Sequence, residues 1–134
     1  MAAEGLISQK SHYAPKETMA RLEAAVSRRG LTIFARVDHA VGAAAVDLSL
    51  RPTDLLIFGN AKGGTPMMQA AQTAGIDLPL KALVWQDANG ITWLSYNDPA
   101  WIAARHAAGP DAKAAVEAMS KLLQGIAAEV ASEQ

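Results

Sequence analysis

The stretch KALVWQ-DANG-ITWLSY restricts the fold of this chain more than any other part of its sequence. Residues 81–86 and 91–96 are apolar runs with the composition of β-strands, and only the tetrapeptide DANG separates them. Within this connection, Asn89 and Gly90 tolerate the positive φ angles that a tight hairpin turn requires. The sequence therefore predicts two antiparallel strands that are neighbours in one sheet.

Other strands and helices are bounded by prolines, glycines and capping side chains. Thr65-Pro66 and Asp98-Pro99 each place an N-capping side chain directly before a proline, which is favoured in the first helical turn. An apolar stripe at helical spacing follows Asp111 and predicts a long last helix. The remaining predicted elements are strands at 5–13, 31–37 and 53–60, a short helix after Asp38, and a helix that opens at Pro15.

The predicted hairpin decides the fold class. A doubly wound parallel sheet alternates strands with helices, and the hairpin together with two helices that follow it breaks this alternation. We therefore predict an α+β fold, a two-layer sandwich in which helices pack on a mixed or antiparallel sheet of about five strands. The 134 residues match the size of one domain, spanning 1–134.

Charge and cysteine content exclude several classes of function. Twelve Lys and Arg against 13 Asp and Glu give a net charge of −1, whereas nucleic-acid binding needs a concentrated positive surface. The absence of cysteine excludes disulfides and thiolate metal sites, and the histidines at 12, 39 and 106 form no pattern of metal ligands. Neither an export leader nor an apolar run of about 18 residues is visible, so we expect a cytoplasmic protein that does not enter membranes.

The segment GNAKGGTP (59–66) is the strongest candidate for a binding site. It follows an apolar strand and precedes a predicted helix, where main-chain amides and the helix dipole favour an anion. The lysine that a nucleotide-binding P-loop has after its second glycine is absent. The alternative is a tight turn in which Thr65 only caps the helix. The predicted contacts to an anion are the amides of Gly63, Gly64 and Thr65, the Lys62 ammonium group and the Asn60 side chain.

Three further residues extend this candidate site. Tyr96 and Asn97 lie at the end of a predicted strand, where side chains often line a cleft, and His39 follows Asp38 at a predicted helix start. We expect the pocket between the 59–66 segment and this strand end, with His39 nearby. No residue pattern identifies a cofactor, so the cofactor is unknown.

Several blocks of the sequence, in this order, resemble one known family. They are DHAVGAAAVDLSLRPTDLLIFGN, GTPMMQ, GIDLPLKALVWQDANG and WLSYNDPAWIAARH, which run from residue 38 to residue 106. Together they are similar to the domain of unknown function 302 family. The resemblance implies a compact α+β domain, a bacterial origin and a homodimer. It implies no activity and no catalytic residues.

Three hypotheses for function follow. The first is a domain that binds a small ligand, anionic ligands included, at the 59–66 segment without catalysis. The second is an enzyme of unknown class that uses His39 and Asp38 as acid and base. The third is a homodimeric interaction module without a ligand. The first and third hypotheses are compatible with each other.

Overall fold

Five strands form one antiparallel sheet in the computed structural model, which describes residues 3–132. The strands are β1 (Leu6–Lys10), β2 (Thr32–Asp38), β3 (Thr53–Gly59), β4 (Leu80–Gln86) and β5 (Thr92–Asn97). The α-helices are α1 (Pro15–Arg28), α2 (His39–Ala45), α3 (Ala61–Ala70), α4 (Pro99–Arg105) and α5 (Lys113–Ala131), and 3₁₀ turns span Gln72–Ile76 and Pro110–Ala112. The strand order is β1-β5-β4-β3-β2. Within residues 3–132, none of the helices combines the length and the apolar character needed to cross a lipid bilayer.

The hairpin predicted between residues 81 and 96 is formed by β4 and β5. Trp85 pairs with Trp93 across it, and their rings stack with centroids 6.3 Å apart. The Asp87 carboxylate stabilises the turn, because it accepts hydrogen bonds from the backbone amides of Asn89 and Ile91, each at 2.9 Å. Gly90 has a φ of 79°, the positive angle that the turn requires. The hairpin prediction is confirmed.

Alternating burial along the strands divides the sheet into two faces. On β3 and β4 the side chains of Leu56, Phe58, Ala82 and Val84 are buried, and the side chains between them are half-buried. The buried face packs against α1, α3, α4 and α5, which contribute the rest of the core. This arrangement confirms the predicted α+β class, with a sheet that is antiparallel throughout.

The start of α3 differs from the sequence prediction. The helix begins at Ala61 and not after Thr65, and the Asn60 side chain caps it by accepting the Gly63 amide at 2.6 Å. Asparagine is among the best N-capping residues, and it directly follows the last residue of β3. Pro66 therefore lies inside the helix, whereas the sequence pattern predicts it in the first turn. The glycine-rich segment forms the first turns of a helix and not a loop.

The edge of the sheet formed by β2 is uncovered. Every residue of β2 is exposed, and among residues 3–132 the strand pairs only with β3. The connection that follows it, including α2, is largely exposed as well. We name residues 32–50 the β2–α2 edge. Nine large hydrophobic side chains of the described chain are exposed, and seven of them lie on this edge: Ile33, Phe34, Val37, Val41, Val46, Leu48 and Leu50.

Candidate functional site

A cavity of about 300 Å³ opens beside the first turn of α3. Its walls come from four segments: the start of β2, the junction of β3 with α3, the residues that lead into β4, and the middle of α5. Apolar side chains from these segments face the space, among them Phe34, Leu78, Met119 and Leu122. The volume is at the lower end of the range for small-molecule sites.

The cavity wall is apolar, and this determines which ligands fit. Among the described lining residues, the polar side chains are those of Asn60 and Thr65, and none is ionisable. Gly64 leaves room at the wall, since a Cβ atom built there lies 3.8 Å from Leu78 Cδ1 and 3.9 Å from Met68 Cε. An anion moved into such a space loses its hydration without gaining a cationic partner. The cavity therefore suits an uncharged, mainly apolar molecule.

The main-chain amides predicted to bind an anion already have partners within the protein. The Gly63 amide donates to Asn60 Oδ1 at 2.6 Å, and the Gly64 amide donates to the Asn60 carbonyl oxygen at 3.1 Å. Thr65 lies further inside α3, where amides bond to the preceding turn. The amides of Gly63 and Gly64 thus have partners inside the protein, because the helix begins earlier than the sequence pattern predicts, and anion binding at this segment stays a prediction.

The eight residues predicted for the site fall into two groups. Four of them line the cavity: Asn60, Gly63, Gly64 and Thr65. The other four are not part of its lining: His39, Lys62, Tyr96 and Asn97. Tyr96 is only 5% exposed and belongs to the core under the helices, where burial raises the pKa of its hydroxyl group. The expected pocket between α3 and the end of β5 is therefore displaced towards β2 and α5.

His39 and Asp38 do not form an acid–base pair at the cavity. Antiparallel pairing places Thr32 beside Gly59, so the other end of β2, with His39, points away from the start of α3. The seven residues of β2 span about 20 Å, several times the reach of a hydrogen bond. Asp38 caps α2 by accepting the Val41 amide at 3.0 Å. His39 therefore lies at the far end of β2 from this cavity, and a role for it in binding stays a prediction.

A polar cluster that no sequence pattern indicates joins the end of α4 to the 3₁₀ turn after α3. His106 Nε2 lies 2.6 Å from Asp77 Oδ2, and His106 Nδ1 lies 2.9 Å from the Thr73 hydroxyl oxygen. Arg105 donates to both carboxylate oxygens of Asp77, at 2.9 and 2.8 Å. The His106 side chain is only 9% exposed, whereas Thr73 faces solvent.

The roles in this cluster follow from the chemistry of its groups. A carboxylate only accepts, so His106 Nε2 donates to Asp77, while Nδ1 and the Thr73 hydroxyl share the second hydrogen bond of the ring. Partial burial acts to raise the pKa of Asp77, but the hydrogen bonds and charges of His106 and Arg105 outweigh it, so this pKa is lowered. The two hydrogen bonds fix the orientation of the imidazole ring. Across residues 3–132, no three His, Asp or Glu side chains converge in an arrangement that holds a metal ion.

Known proteins similar to this chain give its family. A family model described as "Domain of unknown function DUF302" matches residues 7–126. The chain belongs to the DUF302 family. This confirms the resemblance carried by the sequence blocks. An uncharacterized conserved DUF302 protein from Bacillus stearothermophilus has a crystal structure with the same fold, at a TM-score of 0.84 and 19% identity, over 96% of this chain and 99% of that chain.

Curated relatives of this DUF302 domain share more of its sequence but are much longer. Proteins named fluoride-specific ion channel FluC 1, from Brucella suis and Brucella abortus, are each 45% identical to this chain over 115 residues. The match covers 86% of this chain but 45% and 43% of those two proteins. The chain therefore spans less than half the length of these relatives.

Proposed function

We propose that this DUF302 domain binds a small, mainly apolar ligand in the cavity beside α3. The observation that carries the proposal is the apolar wall, with Phe34, Leu78, Met119 and Leu122, around a space of about 300 Å³. Half of the residues predicted for the site line this space. An anionic ligand is not favoured, because the described residues of the wall include no ionisable side chain.

The polar end of such a ligand is expected at the start of α3, where Asn60 and Thr65 supply the polar side chains of the wall. The first amides of an α-helix lack partners within the helix, and in α3 these are the amides of Ala61 and Lys62. A hydroxyl group of the ligand that reaches this turn gains a hydrogen bond. Its hydrocarbon part fills the remaining space, where each buried methylene group contributes about 0.8 kcal/mol.

Straight-chain alcohols of increasing length test this proposal by isothermal titration calorimetry. The association constant is expected to rise about fourfold with each methylene group until the cavity is full. Inorganic phosphate is the anionic probe and is expected to release no heat of binding. Binding of phosphate without binding of any alcohol contradicts the proposal and favours the anion hypothesis again.

Two alanines of α5 offer a matched pair of variants for the same titration. Ala118 is exposed and lines the cavity, whereas Ala114 is exposed one turn earlier and is not part of the lining. Ala118→Phe fills the space and is expected to abolish alcohol binding, while Ala114→Phe leaves it unchanged. Equal affinities in the two variants show that the alcohol binds elsewhere.

We further propose that the domain forms a homodimer through the β2–α2 edge. This edge carries seven of the nine large hydrophobic side chains that are exposed in the described chain. Exposed apolar surface of this kind commonly marks an interaction site, which supports the proposal. Multi-angle light scattering that gives the mass of a monomer at high protein concentration contradicts it. A cytoplasmic location and a bacterial origin stay predictions.

The named relatives favour a second candidate function, a role beside a fluoride channel. More than half of the length of these proteins lies outside the segment that is 45% identical to this chain. A domain in the same polypeptide as a channel is placed to respond to the ion that the channel carries. Thermal unfolding in sodium fluoride, against sodium chloride at equal ionic strength, tests this role. A rise in the melting temperature specific to fluoride supports it, and identical curves contradict direct recognition of fluoride.

A further inference from the structure

Three side chains of the cavity wall interact with aromatic rings in a specific way. Two of them are thioethers, Met68 of α3 and Met119 of α5, and the third is the ring of Phe34 on β2. A thioether attracts the edge of an aromatic ring, and a second ring packs on phenylalanine in a stacked or edge-to-face arrangement. Aliphatic side chains make no such distinction between an aromatic ring and a saturated one. The composition of the wall therefore bears on the kind of apolar ligand that it accepts.

Met68 lines the cavity because of its position along α3. Ala61, Gly64, Thr65 and Met68 all line the space, and positions three and four apart share one face of a helix. Gly64 has no side chain, and a Cβ atom built there lies 3.9 Å from Met68 Cε. A ligand that occupies the room at Gly64 therefore lies beside the Met68 thioether.

Met119 and Phe34 complete this set from two other segments. Met119 is part of the core and also lines the cavity. Phe34 has no partner on β3, because the pairing register shifts between Ile33 and Ala35. Such a bulge redirects a side chain, and Phe34 lines the cavity together with residues of the helices. Within residues 3–132, Phe34 stacks on no other aromatic ring, so its ring is available to a ligand.

We propose that the ligand of this cavity carries an aromatic ring, which packs against Phe34 and the thioether groups of Met68 and Met119. The inference rests on the function proposed above and specifies the ligand class as an uncharged aromatic compound with a hydroxyl group. The hydroxyl group lies at the start of α3, beside Asn60 and Thr65. Each sulfur–aromatic contact raises the affinity about two- to tenfold over a purely aliphatic contact.

Benzyl alcohol and cyclohexylmethanol are matched probes of this inference. They have the same number of carbon atoms and the same kind of hydroxyl group, and the saturated ring is the more hydrophobic of the two. Burial of apolar surface alone therefore favours cyclohexylmethanol. Isothermal titration calorimetry is expected to give a dissociation constant about fivefold lower for benzyl alcohol, because of the sulfur–aromatic contacts.

Methionine variants locate this preference in the wall. Met68→Leu and Met119→Leu remove a sulfur atom at similar volume, a change that protein cores tolerate well, and each is expected to reduce the preference for benzyl alcohol about twofold or more. Met67→Leu is the matched control and keeps the preference, because Met67 is fully buried but is not part of the lining. Phe34→Leu also reduces the preference and changes an exposed side chain, so the core stays intact.

Methyl NMR spectra locate the bound ring directly. The chain has five methionines, and the resonances of their labelled methyl groups are assigned from the same variants. The ring current of benzyl alcohol is expected to shift the resonances of Met68 and Met119, whereas that of Met19, which is not part of the lining, stays in place. Cyclohexylmethanol has no ring current and supplies the baseline.

The outcomes separate this inference from the proposed function. Equal affinities for the two probes, or tighter binding of cyclohexylmethanol, overturn the aromatic ligand and leave the apolar ligand site intact. A preference for benzyl alcohol that is unchanged in Met68→Leu, Met119→Leu and Phe34→Leu contradicts the three contacts. Binding of neither probe and of no straight-chain alcohol overturns both proposals.

Discussion

Helices α3 and α4 pack on the same sheet but are held in opposite ways. α3 contains Gly63, Gly64 and Pro66, and glycine and proline are the weakest helix formers. Its start is capped by the Asn60 side chain through one hydrogen bond. Met67 is the buried anchor of this helix. The sequence of α3 by itself therefore favours a helix only weakly.

α4 is shorter than α3, and side-chain hydrogen bonds stabilise both of its ends. Pro99 occupies the first helical position, where proline is favoured, and the Asp98 side chain accepts the Ala100 amide at 2.9 Å. At the other end, Arg105 and His106 are bound to Asp77. The Arg105 guanidinium group in the last turn also interacts favourably with the helix dipole.

The difference between α3 and α4 indicates which of the two helices unfolds locally more readily. Segments at binding sites come from the less stable parts of a structure, because admitting a ligand requires local movement. α3 borders the cavity, whereas α4 ends in the polar cluster, whose side chains are not part of the cavity lining. The comparison predicts that α3 opens more readily than α4, and four experiments test it.

Removal of the Asp77 carboxylate has the largest expected effect, because it releases the end of α4. Asp77→Ala leaves the buried Nε2–H of His106 without its acceptor, which lowers the free energy of unfolding by about 2 kcal/mol. Asp77→Asn keeps an acceptor at the same place and is expected to cost less. Urea unfolding measures both variants, and equal losses contradict a role for the hydrogen bond to His106.

Acid is expected to loosen α4 through the same carboxylate. The pKa of Asp77 is lowered from its ordinary value of 3.8, so the ionised group stabilises the folded chain above that value. This contribution is lost as the pH falls through the lower pKa of the folded state. Subtracting the Asp77→Asn unfolding curve from the wild-type curve at each pH isolates it. A difference that stays constant down to the most acidic conditions contradicts the assignment.

Loss of the Asn60 cap is expected to weaken α3 further. Asn60→Ala removes the acceptor of the Gly63 amide and costs about 1 kcal/mol. Hydrogen exchange is expected to accelerate in α3 and to stay unchanged in α4. Asn60→Asp is the matched control, because aspartate caps equally well. Faster exchange in both helices shows that the two open as one unit.

The smallest expected effect is a gain in stability from the cavity wall. Gly64→Ala removes a flexible residue from a helix and stabilises it by roughly 0.5–1 kcal/mol, and the new methyl group meets atoms no closer than 3.8 Å. The same group also narrows the cavity, so the longest alcohol that binds becomes shorter. Gly63→Ala is the contrasting variant, because its Cβ approaches Asn60 Oδ1 to 3.0 Å. A larger gain at Gly63 than at Gly64 contradicts the predicted cap geometry.

The elements that could be predicted from the sequence are those whose bounds are determined by residues close together in the chain. The β4–β5 hairpin follows from Asn89 and Gly90, and α4 begins where Asp98 and Pro99 place it. The prediction that α3 begins after Thr65 was wrong, because the helix is capped by Asn60, which is also a favoured N-cap residue. Met67, inside this helix, is fully buried in the core. Its burial accompanies the earlier helix start, and a local sequence pattern contains no information about it.

The sites depend on contacts between distant residues, so the sequence could not predict them in the same way. Asp77 and His106 are 29 positions apart, and no local sequence pattern indicates that they meet. The cavity joins four segments, and its apolar character comes from residues that the pattern assigns only to helices and strands. Residues of the glycine-rich segment line one wall of the cavity, but they form the start of a helix, and this changes the chemistry that is expected of a loop.

The position of β1 next to β5 has a consequence for synthesis on the ribosome. Ser8 and Ser95 form a hydrogen bond at 2.6 Å although they are 87 residues apart. Translation adds about 5–20 residues per second, so the first strand waits for seconds before its partner leaves the exit tunnel. During that time the nascent chain presents an unpaired segment to the chaperones at the tunnel exit.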